Sequence, residues 1–458
     1  MKRFQRSMID GPLLPNIILY TIPIILTSVL QLLFNAADLV VVGQFCGNVS
    51  VAAVGATGAI TNLIVNVFIG LSVGTGVSVA HALGGHNDQE THRIVHTALP
   101  AALVGGVILT VVGVFCSGTF LRWMGTPENV LPLSTLYMQI YFGGITFHLV
   151  YNFCASILRA AGDTKSPLIF LAIAGVVNVG LNVIFVTQLH MNVAGVALAT
   201  TVSQGVSAVL VVVALMCRKD ACRLYLGKLR FYKAQLLKII RIGLPAGIQG
   251  SLFSISNVMI QSSINSFGDV LMSGNTASAN IEGFVLVSLN AFHQAALNFT
   301  GQNGGAGRYD RVKKTLFVCL GCVSVVGITF GSLAYILGPA LLPLYITDSQ
   351  EAIQHGLVRM SYICLPYFIC GLMDVSTGAL RGMGASLQPM IISVLGVCGI
   401  RLLWIYTVFQ IPQYHTPECL YLSYTVSWIV TFAFQILAYF IVFRSQTKHL
   451  QNASGGSL

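Results

Sequence analysis

The sequence predicts an all-α integral membrane protein with twelve transmembrane helices, arranged as two homologous six-helix bundles. Three observations support this fold class: long apolar stretches recur along the chain, basic residues concentrate in alternate connections, and a set of residues repeats at a constant offset. The apolar stretches indicate a membrane environment, the basic residues indicate the topology, and the repeat indicates an internal symmetry.

Composition indicates a membrane protein. Of the 458 residues, 55% are hydrophobic and only 8% are charged, whereas about 25% of residues are charged in an ordinary soluble domain. A helix of about 20 apolar residues crosses a ~30 Å hydrocarbon core. Polar residues and glycines interrupt the second and eighth apolar stretches, so we expect hydropathy to score both weakly. The predicted spans lie near residues 14–43, 53–83, 94–117, 132–158, 167–187, 194–217, 237–267, 273–303, 315–338, 357–380, 389–410 and 419–443.

The positions of the basic residues predict the topology. Of the 24 lysines and arginines, 21 lie at the N-terminus, in the loops after even-numbered spans, or in the C-terminal tail. Cytoplasmic loops carry an excess of lysine and arginine, so we predict cytoplasmic termini in a multi-pass protein of the bacterial inner membrane. The net charge of +10 is explained by this topology. Because no basic patch is interleaved with aromatic residues, we expect no nucleic-acid partner.

The longest polar connection, residues 218–241, divides the chain into two halves. We predict an N-terminal six-helix lobe at 1–217, a cytoplasmic linker at 218–236, a C-terminal six-helix lobe at 237–445 and a cytoplasmic tail at 446–458.

The halves are related by an internal repeat at an offset of about 221 residues. Pro23 matches Pro245, and Leu158-Arg-Ala-Ala-Gly162 matches Leu380-Arg-Gly-Met-Gly384. Each half holds an even number of spans, so the halves have the same orientation and are related by an axis along the membrane normal. This arrangement predicts a central cavity between them.

Two first-half segments, Leu33-Phe-Asn-Ala-Ala-Asp-Leu-Val-Val-Val-Gly43 and Val51-Ala-Ala-Val-Gly-Ala56, closely resemble the first-helix signature of the multidrug and toxic compound extrusion (MATE) family. In the second half, residues 305–313 and 380–384 resemble the matching signatures. The resemblance covers essentially the whole chain and favours the bacterial DinF- or MepA-like branch. It implies a V-shaped pair of lobes, alternating access, and export driven by inward flow of protons or sodium ions.

Four charged residues fall inside spans and away from their loop-proximal ends. An ionisable group at that depth costs about 2.5–3.5 kcal/mol on insertion scales and is therefore a functional candidate. They are Asp38, Glu282, Asp374 and Arg401.

Asp38 is the first candidate for cation coupling. Asn35 shares its helical face, and Asn178 and Asn182 share a face of the fifth span. Carboxylate, amide and hydroxyl oxygens suit a hard cation such as Na⁺, and the carboxylate could equally carry a proton. A buried Asp that only pins helix packing is the structural alternative. The predicted coupling residues are Asp38, Asn35, Asn178, Asn182, Thr200 and Thr201.

The resemblance supports this assignment, since the family's amino-terminal cation site combines a first-helix Asp with polar residues on the fifth helix. Asp38 and Asn178 match that pattern, so a Na⁺ site is predicted there. Asn182 stands where many relatives carry Asp, which leaves the choice between H⁺ and Na⁺ open.

In the second lobe, the candidates are Glu282, Asp374, Arg401 and Asn257, the repeat counterpart of Asn35. Our hypothesis is that Arg401 neutralises Glu282 or Asp374 and leaves the other carboxylate to meet a cationic substrate or a proton. The alternative is a purely structural buried ion pair.

Four aromatic residues are candidates for the substrate cavity, where their rings could stack on cationic amphiphiles. They are Tyr141, Phe147, Tyr151 and Phe292, and core packing is the alternative for each.

Together, these features predict a secondary active antiporter that exports small organic compounds, cationic and amphipathic, in exchange for H⁺ or Na⁺. A lipid-linked-precursor flippase and an endogenous-metabolite exporter remain as alternatives. A major-facilitator carrier is disfavoured, because its loop signature is missing from residues 84–93. The sequence shows no P-loop, nucleophile triad or metal cluster, so we expect neither an enzyme nor a cofactor. We expect a monomer surrounded by membrane lipid.

Overall fold

The computed structural model describes residues 8–346 and 349–455, and every regular element in those ranges is helical. π-helical segments occur at Ile184–Gln188 and Val394–Gly399. The α-helices are α1 Leu13–Phe45, α2 Asn48–Gly84, α3 Asp88–Trp123, α4 Leu131–Gly143, α5 Ile145–Ala160, α6 Lys165–Val183, α7 Asn192–Met216, α8 Lys233–Asn265, α9 Asp269–Gly305, α10 Tyr309–Leu341, α11 Gln350–Ile363, α12 Tyr367–Gly382, α13 Leu387–Ser393, α14 Ile400–Tyr406 and α15 Pro417–Gly455.

Each predicted span coincides with helical structure. Among the described residues, nine uninterrupted spans are long and apolar enough to cross a membrane, and the bent pairs α4–α5 and α11–α12 raise the number to eleven. The one predicted span outside that set is the eighth, which is α9. Its polar residues lower its hydropathy, as expected from the sequence. The same expectation is wrong for α2, which passes because its valines, isoleucines and leucines outweigh its glycines.

The two bends occupy equivalent positions in the repeat. The α4–α5 pair bends by 45° at Gly144, and the α11–α12 pair bends by 46° just before Tyr367. Pro366 lies 222 residues after Gly144. It interrupts the helix between α11 and α12, because proline lacks the backbone N–H that would continue the hydrogen bonding. Between α4 and α5, Gly144 weakens the helix through its conformational freedom. Different residues therefore produce the same bend.

The repeated Leu-Arg-x-x-Gly motif forms the same helix end in both halves. Gly162 and Gly384 have φ values of 85° and 83°. The N–H of Asp163 donates to the carbonyl of Leu158 at 2.9 Å, and the N–H of Ala385 donates to the carbonyl of Leu380 at 3.1 Å. This is the Schellman arrangement, which needs a left-handed residue that glycine adopts without steric cost.

The first compact unit comprises residues 26–251. Its core contains large, fully buried apolar side chains such as Phe142, Leu149 and Phe153. Within this unit, α2 lies very close to α8, because a Cβ added to Gly74 would overlap backbone atoms of α8. Glycine at this position permits the two backbones to approach.

The second compact unit comprises residues 8–25 and the described residues from 252 onward. Leu289, Phe299 and Leu316 are fully buried in its core. The first part of α1 joins this core, since the ring of Tyr20 packs edge-on against Phe299 with centroids 5.4 Å apart. The side-chain amide of Asn303 donates to the carbonyl of Met8 at 3.1 Å.

Two helices contribute to both units. α1 passes from the second unit to the first after Ile25, and α8 passes from the first to the second after Ser251. The sequence-based lobes contain each helix whole, because neither hydropathy nor loop length indicates which core a helix end packs against. The predicted tail, 446–458, begins within α15 and its last three residues lie outside the described ranges.

The connection between the halves packs on the first unit. The backbone N–H of Tyr225 donates to Nε2 of His96 at 3.0 Å, and the N–H of Arg230 donates to the His96 carbonyl at 3.3 Å. Cys222 is fully buried, and this burial raises the pKa of its thiol to about 12. The thiol is therefore neutral, and the segment predicted as a linker is an ordered part of the first unit.

Replacing Gly162 or Gly384 by alanine should lower the stability of the protein by about 1–2 kcal/mol, because an L residue is strained in the left-handed conformation. Thermal unfolding in detergent, followed with a thiol-reactive fluorophore that detects exposure of the buried cysteines, measures the effect. Gly180→Ala is the matched control, since Gly180 lies within α6 and a Cβ there meets nothing within 4 Å. Equal melting temperatures for all three variants would contradict the assignment.

Candidate functional site

Four predicted coupling residues meet in the first unit. The side-chain amide of Asn182 on α6 donates to Oδ1 of Asp38 on α1, and the hydroxyl of Thr200 on α7 donates to Oδ2 at 3.3 Å. The amide of Asn182 also donates to Oδ1 of Asn178 at 3.3 Å, and the amide of Asn178 donates to Thr200 at 3.4 Å. We refer to Asp38, Asn178, Asn182 and Thr200 as the Asp38 cluster.

Local structure explains the cluster. Asn178 and Asn182 are four residues apart on α6 and so lie on one helical face. A π-helical segment, Ile184–Gln188, ends this helix before the chain turns into α7, and such segments often occur at functional sites. Val42, Val186 and Val196 form a small apolar group in the same unit. The cluster is therefore a polar site surrounded by an apolar bundle.

Asn35 and Thr201 lie outside the cluster. Asn35 is exposed, although it is on the same side of α1 as Asp38 in a simple helical projection. Thr201 donates instead to the carbonyl of Ile140 at 3.3 Å. Adjacent residues on a helix point about 100° apart, so Thr200 and Thr201 cannot both face Asp38.

One buried acceptor of the cluster lacks a partner. Asn182 is fully buried, and its carbonyl oxygen Oδ1 makes no hydrogen bond to any residue in the described ranges. An unsatisfied buried polar group costs about 1–3 kcal/mol. A proton donor or a cation placed beside this oxygen would remove that cost.

A small cavity adjoins the cluster through Thr200. Its lining includes Thr200 and one of the four predicted aromatic residues, Tyr141, together with Gly144, Ile145, His148, Thr201 and Gln204. Tyr137, which the sequence reasoning missed, stacks on Tyr141 with centroids 6.4 Å apart and interacts electrostatically with Asp38. A tyrosine on the fourth span, one turn before Tyr141, was the available signal.

The other predicted aromatics do not line this cavity. Tyr151 is buried, and its hydroxyl donates to the carbonyl of Pro167 at 3.1 Å. Phe292 packs in the core of the second unit, and Phe147 is 43% exposed. Tyr151 and Phe292 therefore pack in the hydrophobic cores, which is the alternative that the sequence left open for them.

Glu282 pairs with Arg359, and this pairing contradicts the hypothesis that Arg401 neutralises it. Nε and Nη2 of Arg359 donate to the two carboxylate oxygens of Glu282 at 2.9 and 2.8 Å. Nη1 donates to Oδ1 of Asn275 at 2.5 Å. The predicted span 357–380 places Arg359 close to its start, so the sequence does not single it out as an interior charge. In the structure α11 begins at Gln350, so Arg359 lies more than two turns inside the helix.

The remaining second-lobe candidates are separate from this pair. The carbonyl of Asp374 accepts a hydrogen bond from Nδ1 of His293 at 2.7 Å, and its carboxylate interacts electrostatically with Arg381. Nε of Arg401 donates to the hydroxyl of Ser427 at 3.0 Å. Asn257 is exposed on α8.

The sequence profile of the MatE family matches residues 23–184 and matches again at residues 245–407. The chain belongs to the MatE family. Its members are membrane transporters, so this protein is a multi-pass transporter. The two matches begin 222 residues apart, which confirms the internal repeat predicted from the sequence.

Two relatives from Bacillus subtilis extend the comparison. The chain is 27% identical to the probable multidrug resistance protein YoeA, over 84% of each chain. It is 28% identical to the probable multidrug resistance protein YpnP, over 86% of this chain and 87% of YpnP. A crystal structure of a MATE protein in complex with MaL6 matches with a TM-score of 0.90 at 19% identity, over 96% of this chain and 98% of that one. The predicted fold class is thereby confirmed.

Glu282→Gln should destabilise the MatE protein by about 3–5 kcal/mol, because it leaves the buried Arg359 guanidinium without its counter-charge. The double variant Glu282→Gln/Arg359→Met should recover much of this loss. Thermal unfolding in detergent provides the measurement. Glu351→Gln, which alters a carboxylate that is 75% exposed, is the control, and a loss equal to that control would show that the pair is unimportant.

Proposed function

We propose that this MatE protein exports small organic compounds across the bacterial plasma membrane in exchange for H⁺ or Na⁺ bound at the Asp38 cluster. The observation that carries the proposal is the carboxylate of Asp38, held by two neighbouring side chains within an apolar bundle beside the unpartnered oxygen of Asn182. A carboxylate at membrane depth is costly and is retained mainly for function.

The cluster suits a proton. While Asp38 is ionised, the N–H group of Asn182 donates to it. Once Asp38 is protonated, it carries an O–H donor, and a rotation of the Asn182 amide by about 180° would present the carbonyl oxygen as acceptor. That rotation satisfies the oxygen that is otherwise without a partner.

The donor set also fits Na⁺. Asp38, Asn178, Asn182 and Thr200 offer carboxylate, amide and hydroxyl oxygens, which are the hard ligands that such cations prefer. Only one of the four residues, Asp38, carries a negative charge, so the site attracts Na⁺ less strongly than a site with two carboxylates would.

Entry of either cation into the cell releases about 2.3 kcal/mol per charge for each 100 mV of membrane potential.

The proposed orientation places both termini in the cytoplasm, which puts 21 of the 24 lysines and arginines on the cytoplasmic side. We further propose that the protein functions as a monomer, because each compact unit contains its own hydrophobic core.

Asp38→Asn should abolish coupled export, because the amide neither ionises nor offers a charged ligand. Proteoliposomes with an imposed pH or Na⁺ gradient measure efflux of a fluorescent organic compound, and the gradient that drives the wild type identifies the coupling ion. Asp269→Asn, an exposed carboxylate at the start of α9, should transport normally. Undiminished gradient-driven efflux by Asp38→Asn would refute the coupling assignment.

Asn182→Asp should strengthen Na⁺ binding, because a second carboxylate beside Asp38 favours the bound cation and repels the first when the site is empty. The expected result is a melting temperature that rises with NaCl concentration by several degrees more than that of the wild type. Choline chloride at equal ionic strength is the control. If NaCl and choline chloride have equal effects on this variant, the cluster does not bind Na⁺.

A further inference from the structure

Arg401 is a buried cation in the second unit. Its side chain lies in α14, within the span Leu387–Gln410, and is only 4% exposed. The guanidinium carbon lies 4.1 Å from the ring centroid of Tyr424 and 5.9 Å from that of Trp428. Nε donates to Ser427, as described above. Residues of α15 therefore contact both a face of the guanidinium group, through the two rings, and its Nε atom, through Ser427.

The rest of the guanidinium group has no partner. Among the residues that the structure describes, none accepts a hydrogen bond from Nη1 or Nη2 of Arg401. Its electrostatic neighbours are Tyr424, Cys370, Cys398 and Tyr367, which are neutral side chains at physiological pH. These terminal nitrogens carry the donors best suited to a planar, bidentate acceptor.

Neither predicted carboxylate of the second unit pairs with Arg401. Both oxygens of Glu282 accept from Arg359, and Asp374 interacts electrostatically with Arg381. Glu282 and Asp374 are both absent from the electrostatic neighbours of Arg401. An unpaired charge in this environment is costly, and a ligand that offers an anionic acceptor to the terminal nitrogens of Arg401 would remove that cost.

Backbone features fix the direction of Arg401. The π-helical segment Val394–Gly399 ends two residues before it, and the extra residue of a π turn rotates the following helix by about 100° relative to a continuous α-helix. Gly396 in that segment lies against α15, since a Cβ there would overlap the hydroxyl of Thr431. Arg401 is thereby held against Tyr424 and Ser427.

We propose that Arg401 binds the anionic group, a carboxylate or phosphate, of an organic compound that this protein transports. The inference rests on the proposed export function and defines its substrate class. It differs from the sequence-based expectation of a cationic substrate. Export of an anion also moves negative charge out of a negative interior, so the membrane potential favours the anion's exit as well as the cation's entry.

Three probes that share one ring system test the proposal: 2-naphthoate, 2-naphthamide and 2-naphthylmethylammonium. Their binding to the purified protein in nanodiscs of neutral lipid is measured by isothermal titration calorimetry, without any ion gradient. The wild type should bind naphthoate at least tenfold more tightly than naphthamide, which corresponds to about 1.4 kcal/mol. The ammonium probe should bind more weakly than naphthamide.

Arg401→Gln should remove the preference for naphthoate. Arg401→Lys keeps the charge but loses the planar donor pair, so it should show an intermediate preference and guards against misfolding of the glutamine variant. Arg122→Gln removes an equal charge from an exposed position on α3 and should keep the full preference.

Three results would overturn the proposal: equal affinities of the wild type for naphthoate and naphthamide, no naphthoate binding at all, or an unchanged preference in both Arg401 variants. Nanodiscs that contain anionic lipid distinguish the source of the anion. If that lipid displaces naphthoate, the site holds a lipid headgroup and the transported anion is rejected. Because these measurements require no transport, they are independent of the gradient experiment with Asp38→Asn.

Discussion

A polar group inside an apolar bundle must find its hydrogen-bond partner or counter-charge within the protein, because lipid supplies neither. This constraint explains the polar architecture of both units. In the first unit, amide and hydroxyl groups surround Asp38. In the second, Arg359 takes up both oxygens of Glu282. The constraint is left unsatisfied at several buried polar atoms of the described residues, among them the carbonyl oxygen of Asn182. The terminal nitrogens of Arg401 have no acceptor among those residues either. At these two positions a bound ion or solute would supply the missing partner.

Much of the fold could be predicted from the sequence. Apolar length gives the spans, and glycine and proline at a fixed offset give the repeat, because helix length and helix ends depend on local sequence. The bends at Gly144 and before Tyr367 were not predicted, since each lies within a continuous apolar stretch. The division of α1 and α8 between two cores depends on tertiary packing, which local sequence does not encode.

The candidate site was predictable only in part. Helical spacing brought Asn178 and Asn182 onto one face, and the charge of Asp38 within a span marked it as a candidate. Helical spacing did not predict the position of Asn35 correctly, because the sequence of one helix does not set its orientation toward another helix. Arg359 was missed because its helix begins earlier than the apolar stretch. From the sequence alone, this buried arginine resembles a residue at the edge of a loop.

The two halves retain the same backbone but differ in their charges. Gly162 and Gly384 end equivalent helices in the same conformation, whereas Glu282 and Arg401 stand opposite Thr61 and Val179 in the repeat. Backbone geometry is tied to the fold, and a changed glycine would strain it in either half. Interior charges are not needed for that backbone geometry, so they can differ between the two halves.

The division of α1 and α8 bears on the origin of the duplication. Each compact unit is completed by a helix segment from the opposite half of the chain: residues 8–25 in one case and the first part of α8 in the other. The two segments are equivalent in the repeat, so the exchange is reciprocal, as in a homodimer whose two copies swap the ends of their first helices. Gene fusion would then have made a swapped homodimer permanent, and it would have freed each copy to evolve its own interior charges.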